Sequence, residues 1–403
     1  MKILVLNAGS SSQKSCLYQL PSDLLPATPL HPLWEANLDL TVSRDNAKLT
    51  VKTQKITKEI RLSSQDTQAA TAQMLETLVS GDTKVLEQLS DLDVVGHRVV
   101  HGGTEYSQAT KITPNVKETI SRLIPLAPNH NPAHLQGIEA VENLLGDVTQ
   151  IAVFDTAFHS QMPLEAVIYP IPYHWYEQGI RRYGFHGISH QYCAHQAAQI
   201  INQPLASLKL ITCHLGNGCS LAAIKNGVSI NTTMGFTPLE GLMMGTRSGS
   251  IDPAILIYLL REHNFSADDL DQMLNKESGI KGISGLSSDL RIIRDAIAEG
   301  NQRAQLALDL FIHRLITNLG AMIASLGGLD VLVFTAGIGE NAAIVRERVA
   351  SQFEFLGLKL DLAKNNSSPQ DENIAASDSK IQVLVIHTNE DWAIACKCWR
   401  LIH

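Results

Sequence analysis

The sequence predicts an α/β protein that contains two copies of one folding unit. Residues 2–20 and 209–224 share a pattern in which an apolar run ends in glycine and polar residues and a second apolar run follows at once. This pattern predicts strand, glycine loop, strand. Residues 330–349 begin in the same way but continue with a helical period. Strands and helices mixed in this order are typical of the α/β class.

The two predicted hairpins carry the first functional signal. Their sequences are Lys2-Ile-Leu-Val-Leu-Asn7-Ala-Gly9-Ser-Ser-Ser12 and Lys209-Leu-Ile-Thr-Cys-His214-Leu-Gly216-Asn-Gly218-Cys-Ser220. The turn of such a hairpin leaves backbone N–H groups unpaired, and these groups favour an anion. Two anion-binding hairpins in one chain indicate a duplicated fold.

The remaining elements follow from periodicity. In the third segment, Glu340 and Asn341 are predicted to lie at the start of a helix. Residues 365–378 are predicted to form a surface loop. Residues 303–326 are apolar but contain His313 and Arg314, which a bilayer core would penalise, and this predicts a buried helix. The other predictions are strands at 94–100, 151–155 and 381–387 and helices at 67–79, 133–145, 190–201, 252–263 and 289–298.

Composition limits the classes of function. A chain of 403 residues predicts two or three domains, and 44% apolar with 18% charged residues predicts a globular chain throughout. The formal charge of −8 disfavours nucleic-acid and acidic-membrane partners, so an anionic substrate must meet a local cluster of arginine and lysine. The first residues lack the features of a secretion signal. Six scattered cysteines predict neither structural zinc nor disulfides.

Seven motifs occur in order from end to end of the chain. They are Asn7-Ala-Gly-Ser-Ser-Ser12, His97-Arg-Val-Val-His-Gly-Gly103, Phe154-Asp-Thr-Ala-Phe158, Arg182-Tyr-Gly-Phe-His-Gly187, His214-Leu-Gly-Asn-Gly218, Met244-Gly-Thr-Arg-Ser-Gly249 and Phe334-Thr-Ala-Gly-Ile-Gly-Glu-Asn341. Together these motifs resemble the acetate kinase family.

The resemblance implies a duplicated actin-like ATPase (ribonuclease H-like) fold, with an active-site cleft between two domains. Residues 1–156 with 388–403 would bind the acid and phosphate, and residues 157–387 would bind the nucleotide. It also implies reversible, ATP-dependent formation of acetyl phosphate by a cytoplasmic homodimer. Magnesium, or manganese in its place, would assist, and neither nucleic acid nor a membrane would be a partner.

Two arginines suit a reaction that brings two anions together, because a planar guanidinium pairs two oxygens at once. Arg98 follows an apolar strand, where burial without an anionic partner is costly. Arg247 lies in a glycine-rich loop before a helix. By resemblance, Arg98 holds the acid carboxylate, while Arg247 and His186 stabilise the transferring phosphoryl group. The plainer alternatives are a structural ion pair, a surface arginine and a turn histidine.

Asp155 follows the strand that ends at Phe154, and the resemblance gives it an active-site role. A carboxylic acid acceptor is already ionised at neutral pH and offers no proton to remove. Orienting magnesium or an arginine is therefore the better physical account of Asp155. A helix N-cap or a buried ion pair is the alternative.

The resemblance also supplies the nucleotide and metal positions. Magnesium prefers oxygen ligands, and Asn7 and Glu390 match the metal positions, although Glu390 could instead be an N-terminal helix charge. Asp289 to Arg291 could be only a solvated helix cap. The nucleotide positions are Ser10, Ser12, Lys14, His214, Leu215, Gly216, Asn217, Gly218, Asp289, Leu290, Arg291, Gly337, Ile338, Gly339, Glu340 and Asn341.

The acyl pocket is where the chain departs from the family pattern. By resemblance the methyl group of acetate contacts Val100, Pro238 and position 129, where an apolar residue is usual and this chain has Asn129. Ser250 and the Cys396-Lys-Cys398 ending are further departures, outside that pocket. A propionate or butyrate kinase, a chaperone-like ATPase of the same fold and an adaptor that kept only the fold are the alternative functions.

Overall fold

Two mixed sheets organise the chain. The structure is a computed structural model that describes residues 1–9, 12–43, 46–62, 67–128 and 130–403. The chain divides into two units, Met1–Ala157 with Asn389–His403 and Phe158–Thr388. Each unit contains one of the sheets, so the fold is mixed α/β.

The first unit has an eight-stranded sheet in the order β5-β4-β3-β2-β1-β6-β8-β7. Strands β1 to β5 are antiparallel neighbours, β1, β6 and β8 are parallel, and β7 is antiparallel to β8. Its strands are β1 Lys2–Ala8, β2 Ser12–Gln19, β3 Trp34–Ser43, β4 Asn46–Thr53, β5 Thr57–Leu62, β6 Val94–Val99, β7 Thr110–Lys111 and β8 Thr149–Phe154; its helices are α1 Thr67–Glu76, α2 Pro114–Arg122, α3 Asn131–Leu145 and α15 Glu390–Ile402.

The second unit has a six-stranded sheet in the order β11-β10-β9-β12-β14-β13. Its strands are β9 Lys209–Leu215, β10 Cys219–Lys225, β11 Val228–Thr232, β12 Val331–Thr335, β13 Glu372–Asn373 and β14 Gln382–Val385. Its helices are α4 Leu164–Val167, α5 His174–Glu177, α6 Gly187–Ile200, α7 Ala254–Glu262, α8 Ala267–Lys276, α9 Gly279–Ser284, α10 Leu290–Ala298, α11 Gln302–Leu326, α12 Ala336–Asn341, α13 Ala343–Ala350 and α14 Leu362–Asn366.

The two sheets have the same central arrangement, which confirms the predicted duplication. In the first, an antiparallel meander (β3, β2, β1) continues into parallel strands β6 and β8. In the second, the meander β11, β10, β9 continues into parallel β12 and β14. Because parallel strands end at the same edge, the residues that follow β1, β6 and β8 lie together, as do those that follow β9, β12 and β14.

Helix α11 is a core element of the second unit. It is long and apolar enough to cross a membrane by length and composition alone. One face, which includes Ala307, Phe311, Leu315 and Leu319, is buried, and the helix packs on strands β9 to β11. The prediction of a buried helix at this position is therefore confirmed.

The predicted hairpins, strands and helices are present with small shifts at their ends, and two local predictions are wrong. Helix α12 begins at Ala336, so Glu340 and Asn341 lie at its end and not at a helix start. Residues 365–378 are not wholly a surface loop, because α14 extends to Asn366 and the short strand β13 pairs with β14. In both places a short element is stabilised by tertiary contacts that local sequence does not reveal.

Candidate active site

Arg98 lies in an ion pair at the carboxyl ends of β6 and β8. Its Nε and Nη2 donate to Asp155 Oδ2 at 3.1 and 2.7 Å, and its Nη1 donates to Asn7 Oδ1 at 3.1 Å. Burial raises the pKa of Asp155, while the Arg98 guanidinium opposes that rise. Two of the five guanidinium N–H groups have no acceptor among the described residues and can donate to a further one. The ion-pair alternative is thus observed, and it leaves Arg98 able to bind a second carboxylate.

The first turn of α15 adds two more carboxylates to this group. Asn7 Nδ2 donates to Asp391 Oδ1 at 2.9 Å and to Glu390 Oε2 at 3.5 Å. Asp391 also pairs with Lys14 Nζ at 2.7 Å. Burial lowers the pKa of Lys14, but the pairing with Asp391 outweighs it, so the pKa is raised. Lys14, predicted at a phosphate, is therefore paired with a carboxylate here.

A buried histidine holds the glycine loop of the first hairpin against the end of β6. His134 Nε2 donates to the Ala8 carbonyl at 3.0 Å, and the Val100 N–H donates to His134 Nδ1 at 3.3 Å. Burial lowers the pKa of His134 to about 3, so the ring is neutral. Val100, predicted in the acyl pocket, is itself buried.

Some predicted residues of this unit contribute little that can be described. Ser10 and Asn129 lie outside the described residues. Ser12 is exposed at the start of β2, and its carbonyl accepts the Gly9 N–H at 2.7 Å, which closes the loop.

In the second unit, His186 stands at the glycine loop of the second hairpin. Its backbone is left-handed (φ 56°), an uncommon conformation for a residue other than glycine and one that concentrates at functional sites. The ring stacks on His214, with centroids 4.2 Å apart. A Cβ added at Gly218 would lie 3.4 Å from His186 Nε2 and 3.5 Å from Arg247 Nη1. Both side chains therefore converge on the Gly218 backbone.

Arg247 has no carboxylate partner within the part of the chain that the structure describes. Its Nη1 donates to the Pro238 carbonyl at 3.0 Å and lies 3.8 Å from Met244 Sδ. Burial lowers the pKa of Arg247, which is the signature of a desolvated cation. The surface-arginine alternative is wrong, because this guanidinium is half-buried and points at the glycine loop. Such a cation is costly until an anion binds beside it.

A cavity of about 650 Å³ opens between α10, α12 and the second hairpin loop. Asp289 caps α10 and pairs with Arg291, whose side chain is 88% exposed, so the solvated-cap description also holds there. Eight predicted nucleotide residues line the cavity, and Ser288, Arg294 and Ala342 line it without having been predicted. The eight are Gly216, Asn217, Asp289, Leu290, Arg291, Gly337, Ile338 and Asn341.

The other predicted nucleotide residues of this unit do not line the cavity. Leu215 is buried in β9, and Gly339 packs close to the carbonyl carbon of Phe334. Glu340 turns away, and its carboxylate accepts from the Thr388 N–H at 3.2 Å and lies 2.7 Å from His387 Nδ1. The cavity is thus lined by only part of the predicted nucleotide set.

Arg346 was missed by sequence reasoning. It is 1% exposed, and its Nη1 donates to the Gly339 and Glu340 carbonyls at 2.9 and 2.7 Å. Its Nε and Nη2 donate to the Asn365 side chain and carbonyl at 2.8 and 2.7 Å. Burial lowers the pKa of Arg346 to about 10, so it stays charged at neutral pH. This cation caps the carbonyls at the end of α12 and fixes one cavity wall.

Comparison with known proteins agrees with this arrangement. The model of the acetokinase family matches residues 2–396. The acetate kinase of Rippkaea orientalis is 66% identical over 398 residues, which is 99% of this chain and 98% of that protein. The acetate kinase of Microcystis aeruginosa is 66% identical over 401 residues and the whole of both chains.

Solved structures give the same result. The Porphyromonas gingivalis acetate kinase superposes with a TM-score of 0.92 at 39% identity, over the whole of both chains. A propionate kinase from Francisella tularensis superposes with a TM-score of 0.89 at 38% identity, over 98% of each chain.

Proposed function

The chain belongs to the acetokinase family and functions as an acetate kinase, and we propose that it transfers the ATP γ-phosphoryl group directly and in line to the acetate carboxylate. The observation that carries the site assignment is the desolvated guanidinium of Arg247 beside the Gly218 loop. A half-buried cation without a carboxylate partner among the described residues can stabilise the negative charge of a phosphoryl group during its transfer.

The roles of the other residues follow from their surroundings. Arg98 holds the acetate carboxylate through its remaining N–H groups, and Asp155 fixes the orientation of Arg98. Asp155 does not act as a proton acceptor, because acetate, like the carboxylic side chains of Asp and Glu, is already ionised at neutral pH. His186 faces the transferred group together with Arg247. The adenosine occupies the cavity at Asp289 to Arg291 and Gly337 to Asn341, and the phosphates follow the loop from His214 to Gly218.

Magnesium fits the carboxylate group of the first unit. Asp155 Oδ1 is buried and has no hydrogen-bond partner among the described residues, which leaves one oxygen available to a cation or its water. Asn7 and Glu390 supply further oxygens, the ligand type that Mg²⁺ prefers. The ion would neutralise phosphate charge when bound with the nucleotide.

We also propose that the protein works as a cytoplasmic homodimer, with neither nucleic acid nor a membrane as partner. Helix α7 has no buried residue and exposes Ile255, Ile257, Tyr258 and Leu260, an apolar face that a second copy would cover. The net charge of −8 is unfavourable for a phosphate polymer.

The test is ATP-dependent hydroxamate formation with a panel of C1 to C5 acids, Mg²⁺ and hydroxylamine. We expect acetate to give the highest kcat/KM, propionate less and butyrate little. Phosphate release without any acid, at the rate seen with acetate, would contradict the proposal and favour an ATPase that lacks an acid acceptor. Size-exclusion chromatography with light scattering tests the dimer separately.

A further inference from the structure

A continuous line of buried hydrogen bonds ends on the ring of His186. Ser220 Oγ on β10 lies 2.8 Å from His186 Nδ1 and 2.7 Å from His190 Nε2. His190 Nδ1 in turn lies 2.6 Å from Thr212 Oγ1 on β9. Thr212, His190 and Ser220 are fully buried, and none of the roles assigned above uses them.

The Thr212 hydroxyl, at the far end of this line, determines which atom donates in each hydrogen bond. Within the described part of the chain the Thr212 hydroxyl bonds only to His190, so its proton must go there or stay unsatisfied in the core. His190 Nδ1 is then the acceptor. Burial lowers the pKa of His190 well below its ordinary value, so the neutral ring carries its one proton on Nε2 and donates to Ser220. Ser220, with one proton of its own, donates to His186 Nδ1.

When the His186 ring is neutral, this order places its single proton on Nε2. Nε2 is the atom on the side of Gly218, near Arg247 Nη1. A phosphoryl oxygen is an acceptor, so an Nε2–H in that place can bind it, whereas the other neutral tautomer would present a lone pair. The residue at position 220 thus decides whether Nε2 of His186 presents a proton or a lone pair.

We propose that Ser220, backed by His190, is a positioning residue that holds His186 in the Nε2–H tautomer toward the transferred phosphoryl group. The inference rests on the proposed role of His186. His190 lies four residues after His186, which stands at the start of α6, and it therefore reaches the same face of the helix.

The first experiment compares Ser220→Ala with a matched control. Ser229→Ala removes the same kind of bond, a buried serine 2.8 Å from His159 Nδ1, from the neighbouring strand β11 without touching His186. We expect Ser220→Ala to lower kcat by about 10- to 100-fold. KM for acetate and ATP should change little, and Ser220→Thr should restore much of the rate. Ser229→Ala should keep nearly all of its kcat.

A double-mutant cycle separates positioning from general damage. In a His186→Ala background, Ser220→Ala should lower kcat no further, because its effect passes through the missing ring. If Ser220→Ala does not fold, Thr212→Val can replace it in the double-mutant cycle. Thr212→Val should lower kcat by about fivefold in the parent enzyme and should have no effect in the His186→Ala background.

The tautomer itself can be observed by ¹⁵N NMR of histidine-labelled protein, with His186→Gln used to assign the signal. We expect a protonated Nε2 and an unprotonated Nδ1 in the parent enzyme, and a mixture in Ser220→Ala. The inference would be overturned if Ser220→Ala lowered kcat equally in the parent enzyme and in the His186→Ala background. It would also be overturned if Ser220→Ala and Ser229→Ala lowered kcat equally. An impaired His186→Ala beside an unimpaired Ser220→Ala would overturn only the inference, whereas an unimpaired His186→Ala would also remove the proposed role of His186.

Discussion

The arginines of the two units are both largely removed from water, yet their surroundings are opposite. Arg98 in the first unit is paired with Asp155 and Asn7. Among the described residues, Arg247 in the second unit contacts a carbonyl and a thioether and no carboxylate. Asp155 therefore compensates the charge of Arg98, whereas the described residues around Arg247 supply no such anion. This difference supports the proposed roles of Arg98 at the acid and of Arg247 at the phosphoryl group. Arg98 lies at the carboxyl end of β6, whereas Arg247 reaches the loop after β9 from the segment between β11 and α7.

The largest expected effect is at Arg247. Arg247→Ala should lower kcat by about 10³-fold or more, because the lost contact acts chiefly on transition-state charge. KM for acetate should change little, and Arg247→Lys, which keeps the charge without the fork, should lie between. Arg247→Met should raise the free energy of unfolding by about 1 kcal/mol, since a desolvated cation is removed. Steady-state kinetics and urea unfolding check both parts, and a destabilised Arg247→Met would end the contrast with Arg98.

Arg98 should behave differently in both respects. Arg98→Ala should lower kcat/KM for acetate by about 10²-fold or more, with a rise in KM as well as a fall in kcat. It should also cost about 3–5 kcal/mol of stability, because Asp155 would be buried without its partner. Arg98→Met with Asp155→Asn should recover much of the stability and none of the activity. An Arg98→Ala enzyme with parental acetate kinetics would remove Arg98 from the site.

Glu390 tests whether the carboxylates of the first unit do more than support Arg98. Glu390→Gln should raise the magnesium concentration for half-maximal rate by about tenfold, since one charged oxygen ligand is lost. Asp391 and its pair with Lys14 remain intact in this variant. A magnesium titration of the rate, alongside a thermal melt, decides the point. Unchanged magnesium dependence with a lower Tm would mean that Glu390 is only a helix-terminal charge.

The smallest effect is expected in acid selectivity. Val100→Ala should shift the propionate-to-acetate ratio of kcat/KM toward propionate by about three- to tenfold, because each extra methylene gains only about 0.8 kcal/mol on an apolar wall. Asn129→Leu should shift it the other way, because an aliphatic side chain at position 129 would fill room that the extra methylene of propionate needs. Ratios that do not change in either variant would place both residues outside the acyl pocket.

Periodicity and turn chemistry are local, and they were enough to predict the two hairpins and the strands at 94–100, 151–155 and 381–387. Contacts between residues that are distant in sequence could not be predicted from local patterns. Glu390 and Asp391 are adjacent acids at one helix start, and nothing local shows that Asp391 is the one bonded to Lys14. Ser220 is one of many strand serines until the fold brings His186 and His190 to it.

The orientation of individual side chains could not be predicted from the sequence either. Glu340 occupies a motif position that the resemblance assigns to nucleotide, yet its side chain turns to His387 and Thr388. Whether a side chain at the end of a short helix faces a cavity or the adjoining chain depends on packing, which motif spacing does not encode. The Glu340 side chain is therefore not one of the groups that line the cavity.

The hydrogen bonds of Arg346 constrain how the cavity wall at the end of α12 can move. Its guanidinium bonds at the same time to the end of α12 and to Asn365 on α14. Neither segment can separate from it without leaving a charge in the core. Amide hydrogens around Gly339 and around Asn365 should therefore exchange with solvent as one cooperative unit. We therefore expect the end of α12 and helix α14 to open together, although they are separated in sequence.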